Sequence, residues 1–383
     1  MSIAEKLQEL EYCKNDIKNA IITKGGTITG GMDTYGNSIR ELSGTGSNSG
    51  YKLCDYVTFQ DQFELQYIPD IDTSDMTTMY RMFYNCQNIV TIPEIDTAKV
   101  SNMQSMFDGC DNIISIPMLN TQSVIDMEFM FKSCYRLTTV PQFNTNNVQN
   151  MWGMFNGCYD IIDIPYLYTE NVSNMGGMFS KCKSIKTVPS FITRNVLYMN
   201  DMFRECTSLE TVPQFDTISV REMGSMFYNC SNLKEIPRFN TRSVRSISYM
   251  FYGCTKLTTI PELDCSNIGR DLNYDSESQK SYGPFGAINL NLITNIEGFT
   301  NLKQSWTTQF LSKTPNVTVV SLMNIINKLY DWSQGPSDGR YTFEDGEIVA
   351  YGSDHTLDFG LSNIQKLTSE QIAIATNKGW TLT

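Results

Sequence analysis

Nine prolines sit 24 residues apart without a slip: Pro69, Pro93, Pro117, Pro141, Pro165, Pro189, Pro213, Pro237 and Pro261. Eight cysteines keep the same interval at Cys86, Cys110, Cys134, Cys158, Cys182, Cys206, Cys230 and Cys254. A fixed period of this length specifies a solenoid, in which each repeat covers the hydrophobic face of the next. That constraint covers over half of the 383 residues.

The repeat reads V-x-x-M-x-x-M-F-x-x-C-x-x-L-x-x-I-P-x-(F/I/L)-(D/N)-T. It runs in one copy from Val100 through Met103, Met106, Phe107, Cys110, Ile113, Ile116, Pro117, Leu119 and Asn120 to Thr121. Copies follow from Val124, Val148, Val172, Val196 and Val220. From Val244 Ile247 replaces Met, and the first copy begins at Met76. Steps of three along Val-Met-Met-Phe suit one or two turns of helix or 3₁₀ helix with one buried stripe. Leu-x-x-Ile-Pro reads as a short strand ending in a bend, because proline cannot donate to a ladder. Asp/Asn-Thr is turn and cap chemistry. The expected fold class is therefore an α/β solenoid, with short parallel strands on one face and short helical turns on the other.

The cysteines hold no Cys-x-x-Cys pair. Stacked coils lie about 4.8 Å apart, whereas a disulfide needs β-carbons about 3.8 Å apart and a specific torsion. The pattern predicts a ladder of small buried thiols. One metal ion needs ligands converging on a point, which a column does not supply.

The pattern C-x-x-L-x-x-I-P followed by V-x-x-M-x-x-M-F resembles the BspA-type leucine-rich repeats of bacterial surface and mycoplasma lipoprotein-like proteins. The likeness covers residues 69–265, as eight 24-residue repeats. It implies adhesion or protein interaction, not catalysis, although one repeat type serves many partners.

Solenoids need caps. Residues 51–68 read as an N-terminal cap, with Phe59, Leu65 and Ile68 in register and Gln62 in place of the cysteine. Residues 266–383 read as an enlarged, irregular C-terminal cap. It opens with a polar loop at 266–286. A coil follows at Leu290, Leu292, Asn295, Ile296 and Phe299, then an amphipathic helix from Ser321 to Trp332. A second coil spans Leu357, Phe359, Leu361, Asn363 and Ile364. A last helix opens at Thr368-Ser369-Glu370 and ends near Gly379.

Residues 1–42 form a separate helical unit for docking or oligomerisation, and 43–50 a Gly/Ser-rich flexible linker. Ile3, Leu7, Leu10, Lys14, Ile17 and Ile21 alternate steps of four and three, a three-heptad seam. Such a seam either packs on its own domain or joins another chain, and it is marginal alone. The run Glu-Tyr-Cys-Lys-Asn-Asp-Ile-Lys-Asn-Ala-Ile-Ile-Thr-Lys-Gly-Gly, then Tyr-Gly-Asn-Ser-Ile-Arg-Glu-Leu, is similar to the opening of tailed-phage tail-fibre and other virion appendage proteins. That resemblance implies attachment to a particle through residues 1–50. A trimer is the state fibre precedent suggests, though three heptads with one Lys do not fix the number. No long shaft follows, which favours a short appendage.

The opening residues carry no basic and apolar leader, and no stretch approaches 18 apolar residues. The expectation is synthesis in a host cytoplasm without a signal peptide, no membrane insertion, and a place in a virion. A net charge of −12 argues against nucleic acid. The one histidine, His355, lies in a Gly/Ser/Asp-rich segment and reads as an exposed loop residue. No phosphate loop, Gly-x-Ser-x-Gly or metal-spaced cluster is present. No enzyme, catalytic residue, cofactor or metal is expected.

The residue after each proline varies while its neighbours do not: Glu94, Met118, Gln142, Tyr166, Ser190, Gln214, Arg238 and Glu262. These are the candidate binding residues, on the sheet face that solenoids commonly use. Residues 69–140 hold 4 basic and 9 acidic side chains, and 181–256 hold 11 basic and 6 acidic. Between them lie Trp152, Tyr159, Tyr166 and Tyr168. Aromatics with a basic flank suit an acidic glycan or protein, against a plain solvated surface as the alternative. The sequence thus points to a virion appendage whose solenoid binds a host-surface protein or glycan, or another virion protein. The alternative is a bacterial leucine-rich-repeat adhesin or interaction scaffold outside any virion.

Overall fold

The structure, a computed structural model, describes residues 51–52, 58–63, 65–66, 68, 71–268, 284, 293–303, 311, 314–335, 340–342, 348–350 and 355–383. The heptad residues Ile3, Leu7, Leu10, Ile17 and Ile21, the 43–50 linker, Pro69, Leu290 and Leu292 lie outside them, as does most of the 266–286 loop. The chain divides into two compact units, with the boundary between Val172 and Ser173.

In the first unit the coils stand in 24-residue register. Parallel bridges link Thr78, Asn102, Asp126 and Asn150 in succession, and β1 (Tyr51–Lys52) pairs in parallel with β2 (Ile71–Asp72). The helical turn expected along Val-Met-Met-Phe takes the form of linked β-turns. The amides of Met82, Tyr84 and Cys86 bond the carbonyls of Met79, Arg81 and Phe83, three residues back. The intervening amides leave the coil: Met79, Arg81, Phe83 and Asn85 donate to Asn102, Gln104, Met106 and Asp108 of the next one. Coils 103–109 and 127–133 repeat this, always donating toward the later coil.

A left-handed residue at the third position of two of these turns makes the pattern possible. These are Arg81 and Asn85 (φ 54° and 58°), Ser105 and Gly109 (53° and 79°), and Gly153 and Gly157 (59° and 82°). Left-handed residues every fourth position exclude a continuous helix. Bonds in the opposite sense close other parts of the coil, as from Ile125 to Ser101 and from Gln149 to Ile125, both 2.8 Å.

The core is the predicted stripe. Val100, Met103, Met106, Phe107, Cys110 and Ile113 have no solvent exposure. Phe59, Phe83, Phe107, Phe131 and Phe155 stack face to face with centroids 5.5–5.7 Å apart. The Asp/Asn-Thr corner does two jobs. The Asn120 carboxamide oxygen accepts the Gln122 amide, and the buried Thr121 hydroxyl donates to the Asn144 carbonyl of the next coil at 2.9 Å. Below these repeats, Phe59 and Asp61 donate to Met82 and Tyr84, so the coil at 58–68 keeps the register.

The second unit repeats this architecture through Asn174, Tyr198, Glu222 and Ser246. Its rings Phe179, Phe203, Phe227 and Phe251 form one stack, and Phe191, Phe215 and Phe239 another. The strand expected at Leu-x-x-Ile-Pro is regular at the last repeat. There β3 (Thr259–Ile260) pairs in parallel with β5 (Asn295–Ile296), and β4 (Leu263–Asp264) with β6 (Phe299–Thr300). In earlier repeats the stretch is extended but tied by single bonds, as from Lys234 to Glu210, because each proline withholds an amide.

Beyond β6, α1 (Val319–Lys328) buries Leu322, Ile325 and Ile326 and is capped by Thr318. The strands β7 (Arg340–Thr342) and β8 (Ile348–Ala350) form an antiparallel pair. β9 (His355–Leu357) pairs in parallel with β10 (Trp380–Leu382). Between these lie α2 (Leu361–Ile364) and α3 (Ser369–Asn377), the latter opened by a capping box of Thr368 and Gln371. The coil expected from Leu357 to Ile364 ends at Phe359. Gly360, at φ 73°, turns the chain into α2 and leaves Leu361 exposed. His355 is a correction: it is a buried strand residue, its ring 4.0 Å from Trp332 and parallel to it, with Trp380 on another side.

Candidate interaction surface

Between Ile116 and Thr121 the chain alternates buried and outward residues, the signature of extended backbone. Ile116, Leu119 and Thr121 point inward, and Met118 and Asn120 outward. The alternation recurs in every repeat, so the post-proline residues form outward columns. Glu94, Met118, Gln142 and Tyr166 line the first unit, and Ser190, Gln214 and Arg238 the second; Glu262 is half-buried.

These residues differ in how free they are. The Gln142 side-chain amide bonds the Tyr166 and Phe143 carbonyls, and Gln214 bonds those of Arg238 and Phe215. Both tie one coil to the next. Arg238 pairs with Glu262 and reaches Glu297 at 3.7 Å. The Thr300 hydroxyl, with Lys328 and Arg238 beside it, holds the Glu262 carboxyl below the usual carboxylate range. That end of the column is therefore engaged with the C-terminal elements. Met118 and Tyr166 remain outward, Met118 with 66% of its surface exposed.

A second column escaped the sequence reading. Val90, Ile114 and Ile162 follow the core Leu/Ile of their repeats and are exposed, Ile162 to 61%. Thr138 donates to Ile114 and Ile162 to Thr138, which fixes the column in register. Tyr166 meets Tyr168 edge-on at 5.4 Å. The first unit thus carries exposed apolar residues at two outward positions of its repeat. The corresponding column of the second unit is Lys186, Glu210 and Lys234, with Lys234 paired to Glu210. Aligning the repeats shows the difference at once; a search for constant positions does not.

The aromatics of the repeat at 148–171 pair in three places. Trp152 lies over Phe129 at 5.5 Å, Tyr159 stacks on Tyr135 at 4.8 Å, and Tyr166 meets Tyr168. In the second unit Tyr228 and Tyr252 stack at 4.4 Å with the Arg204 guanidinium 4.2 Å from the Tyr228 ring.

The cysteines among the described residues are all reduced and buried. Each thiol from Cys86 to Cys158 donates to the phenylalanine carbonyl one coil earlier, at 2.9–3.2 Å. Burial pushes Cys86 up to about 12 and Cys110, Cys134 and Cys230 well above the usual thiol range. A thiol so protonated is neither a nucleophile nor a metal ligand. Among the described residues no group of three or more His, Cys, Asp or Glu could hold a metal ion, and no helix is long and apolar enough to cross a membrane.

Short parallel pairings, a stacked phenylalanine spine and a turn column repeated every 24 residues define a solenoid of the leucine-rich-repeat class. The family described as "Mycoplasma protein of unknown function, DUF285" matches residues 53–163 and 162–263. Together these span 53–263, 211 of 383 residues, and the chain belongs to that family. No curated protein matches it. Solved structures similar to it include the leucine-rich repeat protein of T. pallidum (18% identity, 54% of this chain and 78% of that one, TM-score 0.28). A leucine-rich cell surface protein of Faecalibacterium prausnitzii shows 16% identity over 65% and 83%, with a TM-score of 0.28. An internalin, inlF, of Listeria monocytogenes shows 10% over 96% and 86%, with a TM-score of 0.25. The fold assignment rests on the ladders described above, not on these overlaps.

Proposed function

We propose that the chain is a non-enzymatic repeat scaffold that binds a protein partner through outward side chains fixed on its coils. One observation carries this: Val90, Ile114, Ile162, Met118 and Tyr166 are exposed on a backbone pinned coil to coil in the first unit. Exposed apolar side chains on an ordered frame suit association, because little side-chain and loop order is lost on binding. Membership of the repeat family agrees with an interaction role and assigns no ligand.

The test compares the full chain with a Met118→Glu/Ile162→Glu variant for binding to intact bacterial cells, with and without protease treatment. The expected result is binding by the parent chain, lost after protease treatment and weakened in the variant. Equal binding by both chains overturns the reading, and survival of binding after proteolysis replaces the protein partner with a glycan.

A narrower reading is a virion appendage, supported by the likeness of residues 11–42 to phage tail-fibre openings and by the heptad seam, Ile3 to Ile21, that runs into it. Its test is the solution mass of the full chain and of one starting at Tyr51. A trimer that becomes a monomer on truncation supports an N-terminal assembly unit. Monomers in both cases remove self-assembly through residues 1–50.

A further inference from the structure

In the second unit the edge opened by the repeat valine carries a cluster of arginines. Leu197, Arg221 and Arg245 form one column, with Arg221 donating its amide to Leu197 at 2.8 Å and Arg245 to Arg221 at 2.7 Å. Three residues earlier in each coil stand Arg194, Ile218 and Arg242. The neighbouring threonine ladder holds their register: Thr193 bonds Asp216, and Thr217 bonds Asn240, each at 2.9 Å. Coils about 4.8 Å apart place these side chains on one continuous edge. Arg194, Arg221 and Arg242 are exposed and form no ion pair among the described residues, and Ile218 is 55% exposed between Arg194 and Arg242. The flanking carboxylates are Asp216, which accepts the Ile218 amide, and Glu222.

The first unit supplies an internal control. Its same positions hold Ala98, Gln122 and Asn146, and Ser101, Ile125 and Gln149. Glu170 follows at the last of these positions, but the coils from Ala98 to Gln149 close with the same backbone bonds and no charge there, so the arginines are dispensable to the scaffold.

From this edge we infer that the second unit holds a distinct docking surface for an acidic polypeptide segment. Arginine is the side chain suited to bidentate carboxylate contact. Ile218 and Tyr198 interleave with the arginines, and a mixture of arginine, aromatic and aliphatic groups matches the centre of protein interfaces. A purely polar polyanion would leave Ile218 against water. The net charge of −12 repels a long charged polymer, while a short acidic segment feels the arginines within a Debye length of about 8 Å. The inference concerns residues other than the apolar face of the first unit and stands or falls separately from it.

The experiment uses the full chain and a fluorescent 15-residue peptide of repeated Glu-Glu-Leu, with the Lys-Lys-Leu counterpart and polygalacturonate as controls. The expected result is saturable binding of the acidic peptide, weakened about tenfold in Arg221→Glu/Arg242→Glu, the effect of removing two charge-assisted contacts. Met118→Glu/Ile162→Glu should leave this binding unchanged. Circular dichroism and melting temperature confirm that both variants fold; a misfolded reversal is replaced by Arg221→Gln/Arg242→Gln, which is expected to weaken binding in the same direction. Equal binding by parent and variant, equal binding of the basic peptide, or tighter binding of polygalacturonate than of the acidic peptide overturns the inference.

Discussion

The thiol of Cys110 donates to the Phe83 carbonyl at 3.0 Å, and that same oxygen accepts the Cys86 amide at 3.2 Å. Each phenylalanine carbonyl so treated has a main-chain partner in its own coil and a thiol partner in the next. The cysteine period is thus a hydrogen-bond device as well as a packing one.

Substituting one rung should separate these roles. Cys134→Ala loses the bond to Phe107 and leaves a small void, and is expected to cost about 1–2 kcal/mol. Cys134→Ser keeps a donor and is expected to cost less. Urea unfolding followed by circular dichroism checks the order; a serine variant no more stable than the alanine one would show that packing alone matters.

Alkali should unfold the chain. A thiol whose folded pKa lies above its unfolded one stabilises the fold below the unfolded value and loses that contribution as pH rises through the folded value. For Cys86 the window runs from about 9, the ordinary value, to about 12. Stability measured by urea titration should fall across that window. The effect should be smaller in a variant with Cys86, Cys110 and Cys134 replaced by serine. At pH 8, with Cys13 and Cys54 replaced by serine, the native chain should show no thiol that reacts rapidly with a disulfide reagent.

The left-handed turn positions make a paired test. Gly153 has φ 59°, and a β-carbon there would fall 2.3 Å from the Phe129 ring. Gly153→Ala is expected to destabilise by about 1–3 kcal/mol. Ser133 sits at the same φ, 59°, so Ser133→Gly should be neutral or stabilising by up to about 1 kcal/mol. Melting temperatures of the two variants should move apart.

The C-terminal elements hang on two side chains. The buried Asn363 amide reaches the Leu311, Thr314 and Phe359 carbonyls, and Lys366 reaches the Val317 carbonyl and the Asn363 oxygen, both at 2.9 Å. Asn363→Ala strands these acceptors and should cost about 1–3 kcal/mol. Hydrogen exchange should report faster opening of residues 314–318 and 359–366, with protection around Phe203 unchanged.

How much of this was legible follows from which residues repeat. The buried positions were readable because Val100, Met103, Phe107 and Cys110 recur at fixed spacing and burial tolerates little else. The turn column was not, because its left-handed positions accept Gly109, Asn85, Ser105 and Lys181 alike, and steps of three between apolar residues mimic a helix. The outward columns were half visible. Variation after each proline pointed to Met118 and Tyr166, but that Gln142, Gln214 and Arg238 are committed to neighbouring coils depends on contacts across 24 residues. His355 misled because a polar neighbourhood in sequence says nothing of Trp332 and Trp380, which the fold brings against it.

The turn column donates in one direction only, so the two ends of a stack are chemically unlike. One end offers oxygens and the other offers amide hydrogens. Closing the latter calls for a group that accepts and need not donate, and the residue that receives the Phe251 amide, at 2.7 Å, is Pro284. Such a stack has a front and a back: it can be lengthened or shortened by whole 24-residue units, but its two closures cannot be exchanged.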